Sequence, residues 1–86
     1  MKNTSAICQF ICPDRPGLVN ELAGWVTKHG GNILHADHHT DLEADIFLSR
    51  IEWGLHDFLL SRDQIDQELK SLAKNLDGQS KLYFSD

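Results

Sequence analysis

Within seven residues the chain reads His-Ala-Asp-His-His-Thr-Asp, residues 35–41, the densest run of side chains able to bind a metal or exchange a proton. On an extended strand His35, Asp37, His39 and Asp41 fall on one face and His38 on the other, and ligands two residues apart can share a divalent ion. The same residues also make a solvated or partner-facing polar surface, or contacts that respond to pH. The spacing matches no specific ligand set, so no metal and no cofactor is assigned. Cys8 and Cys12 are the only cysteines. On one strand they stand about 13 Å apart, whereas a disulfide needs about 7 Å. They are expected as free, buried, small apolar side chains in reducing surroundings. No serine stands in a G-x-S-x-G elbow, and neither a phosphate-cradling nor a dinucleotide-binding glycine motif occurs.

A second stretch carries a sharper signal. "CPDRPGLVNEL", residues 12–22, sets two prolines, a glycine and an Asp-Arg pair between an apolar run and a helical pattern. A helix N-terminus offers free N–H groups and partial positive charge, which suit an anion. Gly17 admits close approach to the backbone, Arg15 adds a bidentate partner for a carboxylate, and Asp14 is placed to cap the helix. An amino acid fits such a corner by its carboxylate. The competing reading is a proline-stiffened turn that binds nothing.

The elements that must position these groups follow from periodicity. Residues 5–12 read as a strand ended by Pro13. A helix is expected from Pro16, with Leu18, Val19, Leu22, Ala23, Trp25 and Val26 on one stripe and Gly30, Gly31 and Asn32 at its exit. "NILHADHHT" and "ADIFLSRIEW" read as a hairpin joined around residues 41–43. In its second arm Phe47, Ser49, Ile51 and Trp53 should face the helices, leaving Ile46, Leu48, Arg50 and Glu52 on the opposite face. Ser61 and Gln64 form a capping box for a helix carrying Ile65, Leu69, Leu72 and Leu76, and residues 80–84 return as a last strand. The order β-α-β-β-α-β predicts an α+β, ferredoxin-like sandwich: a four-stranded antiparallel sheet with two helices on one face. Its core should include Leu18, Leu22, Val26, Phe47, Ile51, Ile65, Leu69 and Leu72. The helix-free face, with Ile46 and Leu48, is left open or covered by a partner.

Eighty-six residues fit one domain. Eight Lys and Arg against thirteen Asp and Glu give a formal charge of -5, which disfavours nucleic acid and anionic membranes as partners. The N-terminus lacks the apolar segment of a secretory signal and no run is long enough to span a bilayer, so a cytoplasmic protein is expected.

With D-R-P-G-L at 14–18, G-G-N-I-L at 30–34, D-x-H-x-D at 37–41 and F-L-S-R-I-E at 47–52, the chain resembles an ACT domain over nearly its whole length. More narrowly it is similar to the N-terminal domain of formyltetrahydrofolate deformylases. The resemblance implies a regulatory, amino-acid-sensing and oligomerising domain in front of a larger domain that hydrolyses 10-formyltetrahydrofolate to tetrahydrofolate and formate, in support of purine synthesis. That larger domain, which carries the family's catalytic Asn, His and Asp, is absent from these residues, so no catalytic residue is assigned. The resemblance implies a ligand such as glycine at Asp14, Arg15, Gly17 and Leu18, completed by Asn32 and Ile33 across a homodimer or higher assembly. The alternative is a stand-alone ACT-type regulatory or interaction protein. A reading frame that continues past Asp86 into a formyltransferase-like sequence separates the first from the second.

Overall fold

The computed structural model describes residues 4–86. Met1, Lys2 and Asn3, which enter the reading of the N-terminus as lacking a secretory signal, lie outside the described residues. Six elements follow in order: β1 (Ser5–Pro13), α1 (Leu18–Lys28), β2 (Asn32–Asp41), β3 (Ile46–Gly54), α2 (Arg62–Asn75) and β4 (Gln79–Phe84). The strands form one sheet in the order β2-β3-β1-β4, and every neighbouring pair is antiparallel. This is the ferredoxin-like sandwich expected from the periodicities. No helix among the described residues is long and apolar enough to cross a membrane.

Alternation decides which sheet face is covered. Ala6, Cys8, Phe10 and Cys12 of β1 and Phe47, Ile51 and Trp53 of β3 point into one core with Leu18, Leu22 and Val26 of α1 and Ile65, Leu69 and Ala73 of α2. Burying these side chains is the main favourable term in the fold, each contributing roughly 1.5–3 kcal/mol when large and apolar. Leu72, expected among them, is only half-buried, because the α2 stripe centres on Ile65, Leu69 and Ala73 and leaves Leu72 at its margin. Both cysteines are free and buried.

Three of the four helix ends are closed by local hydrogen bonds. At α2 the Ser61 hydroxyl accepts from the Gln64 N–H at 3.2 Å and the Gln64 side chain accepts from the Ser61 N–H at 2.9 Å, the reciprocal box anticipated from "SRDQ". At its C-terminus the Gly78 and Asp77 N–H groups bond back to Ala73 and Lys74 carbonyls, with Asp77 at φ 56°. Gly30 and Gly31 close α1 in the same way onto Thr27 and Val26. The hairpin between β2 and β3 turns over residues 42–45, one step beyond the expected joint, because the Asp41 carboxylate accepts from both the Glu43 and Ala44 N–H groups at 3.1 Å.

Candidate functional site

The junction of β1 and α1 departs from expectation in two ways. The helix begins at Leu18 and not at Pro16, and its N-cap is Gly17 at φ 91°, with no side-chain cap. Asp14 therefore does not cap α1; its backbone N–H donates to the Asp45 carbonyl at 2.9 Å and ties the corner to the β2–β3 turn. The physical reason is the left-handed geometry of Gly17, which turns the preceding residues away from the helix axis. The consequence favours a ligand corner, since the first-turn N–H groups have no side chain over them. The position of a Cβ on Gly17 has nothing within 4 Å, so the approach is open.

Arg15 and Leu18 take different roles from a simple contact list. The Arg15 guanidinium reaches Glu21 at 2.5 Å and donates to the Pro16 carbonyl at 3.2 Å, so an incoming carboxylate competes with Glu21 for it. This pair is exposed and therefore weak, which makes exchange cheap. Leu18 is 2% exposed, with its side chain in the core, and only its backbone faces the corner. Burial raises the Cys12 thiol above its ordinary value; Arg15 lowers it in part while Asp14 and Glu21 add to the rise. The corner holds no ready thiolate.

Asn32 and Ile33 lie elsewhere. Pro13 pairs with Ile46 at one end of β3, whereas Asn32 pairs with Gly54 at the other. Eight residues of strand separate these ends, about 26 Å at roughly 3.3 Å per residue. One chain therefore does not bring the two groups together. Asn32 is exposed and Ile33 half-buried. The entry to β2 is held by a ring cluster that periodicity could not reveal: Trp25 lies 5.0 Å from His29, 5.7 Å from Trp53 and 5.9 Å from Phe58. The Trp25 indole N–H donates to Glu68 at 3.1 Å, and His29 Nδ1 lies 2.9 Å from the Trp25 carbonyl, which can only accept, so Nδ1 carries a proton. A Cβ on Gly31 would sit 2.6 Å from Val26 and 2.9 Å from Phe58, so this packing fixes the backbone just before Asn32.

The histidine-rich strand is β2, an edge strand paired only with β3 among the described residues. His35, Asp37, His39 and Asp41 stand opposite Glu52, Arg50, Leu48 and Ile46, all on the helix-free face, as strand alternation requires. His38 points to the helix side, where its Nδ1 lies 3.0 Å from the Ser49 hydroxyl and its ring stacks on Phe47. Among the described residues no three His, Cys, Asp or Glu side chains gather closely enough to hold a metal. A bulge between Ile33 and His35 shifts the register, and apart from half-buried Ile33 and Thr40 every β2 residue is exposed. A shallow groove of about 470 Å³ lies on the helix-free face, over Gln9, Ile11, Leu48 and Arg50, away from the 14–18 corner.

Residues 6–74 match the ACT domain family. Over all 86 residues the chain is 41% identical to a formyltetrahydrofolate deformylase of Synechocystis sp., of which it spans 30%. Its fold is similar to that of a formyltetrahydrofolate deformylase from Pseudomonas syringae, with TM-score 0.89, 22% identity and coverage of 99% of this chain and 28% of that one. It is also similar to an ACT domain protein from Streptococcus pneumoniae, with TM-score 0.80, 15% identity and coverage of 98% and 92%.

Proposed function

Because the chain belongs to the ACT domain family, we propose that it is a regulatory domain that binds a small amino acid such as glycine and serves a formyltetrahydrofolate deformylase. The likeness along its whole length to a relative of that name supports the enzyme. The catalytic step, hydrolysis of 10-formyltetrahydrofolate, belongs to a domain outside these residues.

One observation carries the sensing reading: the open corner and Asn32 stand at opposite ends of an uncovered ten-residue edge strand. Two copies joined antiparallel through β2 would bring Asn32 of the second copy to the Asp41 end of the first. Asp41 and Pro13 are both opposite Ile46, and so lie about 10 Å apart across β3. Asn32 of the second copy then lies one further strand spacing beyond Asp41, about 15 Å from Pro13 across the sheet, and the proposed amino acid bridges the side chains and N–H groups between them. Its carboxylate takes the free N–H groups at the start of α1, and its amine faces the Asn32 side chain of the second copy. The Asp14 carboxylate attracts the amine and repels the carboxylate, which sets the ligand's direction. Calorimetric titration with glycine, serine and methionine tests this. The expected Kd is micromolar to millimolar, or about 4 to 8 kcal/mol. A folded domain that gives no heat and no thermal shift at about 50 mM, far above a millimolar Kd, overturns it.

The second reading is a stand-alone ACT-type protein whose work is assembly. The Streptococcus pneumoniae neighbour favours it, since that chain is little longer than one such domain.

A further inference from the structure

The segments that meet at the 14–18 corner are rich in acids. Residues 12–21 and the β2–β3 turn with its flanks, residues 41–46, hold Asp14, Glu21, Asp41, Glu43 and Asp45 against a single cation, Arg15. The Asp14 N–H, bonded to the Asp45 carbonyl, ties the two segments together. Asp41 is occupied within its own turn, where it accepts from the Glu43 and Ala44 N–H groups. Asp14, Arg15 and Glu21 are the charges that act on the Cys12 thiol near the end of β1, which places these three together at the corner itself. Arg15 is engaged twice: its Nη2 donates to Glu21 Oε2 at 2.5 Å and its Nη1 to the Pro16 carbonyl at 3.2 Å. Glu21 is set in place by its helix, its N–H donating to the Gly17 carbonyl at 3.0 Å. Two carboxylates beside one guanidinium leave the corner with excess negative charge, and the guanidinium already holds a carboxylate.

From this arrangement, and resting on the amino-acid-binding reading above, we propose that Glu21 sets the class of ligand the corner accepts: it withholds Arg15 from simple carboxylates and leaves the corner to zwitterionic α-amino acids. A plain carboxylate meets the free N–H groups of α1, but also a cation already paired and a surround of like charge, which rejects it. An α-amino acid brings an ammonium group. Asp14 takes up that positive charge while the ligand's carboxylate competes with Glu21 for the guanidinium, so the two contacts are made together or not at all. Glu21 touches no ligand atom in this scheme; it acts through Arg15, as a positioning residue. Both side chains are exposed, and an ion pair of this kind is worth up to a factor of about five. That is enough to discriminate between ligand classes and too little to lock the corner against an amino acid.

A double-mutant cycle read by calorimetry at low salt tests this, with glycine as the zwitterion and sodium acetate as the simple carboxylate. Glu21→Gln should tighten glycine about two- to fivefold and let acetate displace it, whereas acetate should leave glycine binding to the unaltered chain untouched. Arg15→Gln should weaken glycine, and in that background Glu21→Gln should bring little further change, because the residue it acts through is gone. Circular dichroism checks that each variant folds. Should Glu21→Gln not fold, Glu21→Ala removes the same carboxylate and asks the same question. Glycine affinity and acetate exclusion that are unchanged in Glu21→Gln overturn the proposal. So does an equal gain with and without Arg15, which would mean that Glu21 acts by bulk charge alone. Either result with glycine still binding the unaltered chain sinks this inference and leaves the sensing role standing. No heat with glycine in any of the four chains sinks the sensing role, and this inference with it.

Discussion

At the scale of the residue, two glycines in turns do different work. Gly17 holds φ 91° with empty space where a Cβ would stand, whereas a Cβ on Gly78 would meet the Ile11 carbonyl oxygen at 2.3 Å and Cys12 at 2.5 Å. Alanine at 17 costs only conformational strain, about 1 kcal/mol. Alanine at 78 forces backbone atoms apart and should cost roughly 1–3 kcal/mol in urea unfolding, at the upper end because a carbonyl cannot rotate aside. Equal losses at the two sites would contradict the geometry. Cys8 gives a pH test. Burial pushes its thiol from the ordinary value of 9.0 up to about 12. The folded state thus holds the proton that the unfolded chain releases, so this contribution is complete below pH 9 and is lost as pH rises toward 12. A Cys8→Ala variant should show a shallower alkaline decline in unfolding midpoint than the unaltered chain. A parallel decline would show that the thiol is not desolvated.

At the scale of the element, α2 separates a core position from a marginal one. Leu69 is 2% exposed and Leu72 half-buried. Leu69→Ala should destabilise by roughly 2–5 kcal/mol and Leu72→Ala by about 1 kcal/mol, as measured by denaturant unfolding. The reverse order would mean that the helix is rotated about its axis. Element types and order were legible in the sequence because β3 alternates and α2 repeats every three or four residues, and those periods survive in a single sequence. The start of α1 was not. Pro16 and Gly17 each suit a helix start, and the choice rests on the left-handed turn of Gly17, which composition does not display. Nor was the openness of β2 legible. Its run of polar residues carries no alternation to break, so neither the bulge after Ile33 nor its exposure on both faces leaves a mark. The Trp25–Trp53 contact joins residues distant in sequence, and only the fold brings them together.

At the scale of the whole molecule, the proposed site draws on the two ends of one sheet. The motif at 14–18 was legible in the sequence and the group at 32–33 came only from the family resemblance; their separation along β3 was legible in neither, since it depends on strand order and direction. On the proposed reading, that separation requires a site shared between two copies. Complementation between chains reads it directly. Gly17→Ala projects a methyl group into the open corner, and Asn32→Ala removes the facing side chain; each variant alone should lose glycine binding by calorimetry while remaining folded. Mixed in equal amounts and allowed to exchange, half of the dimers pair unlike chains, and each of those regains one intact site from the normal corner of one copy and the normal Asn32 of the other. The mixture should recover about one quarter of the unaltered binding capacity with unaltered affinity, as random pairing of two-fold dimers requires. A mixture that binds no better than either variant alone would contradict it.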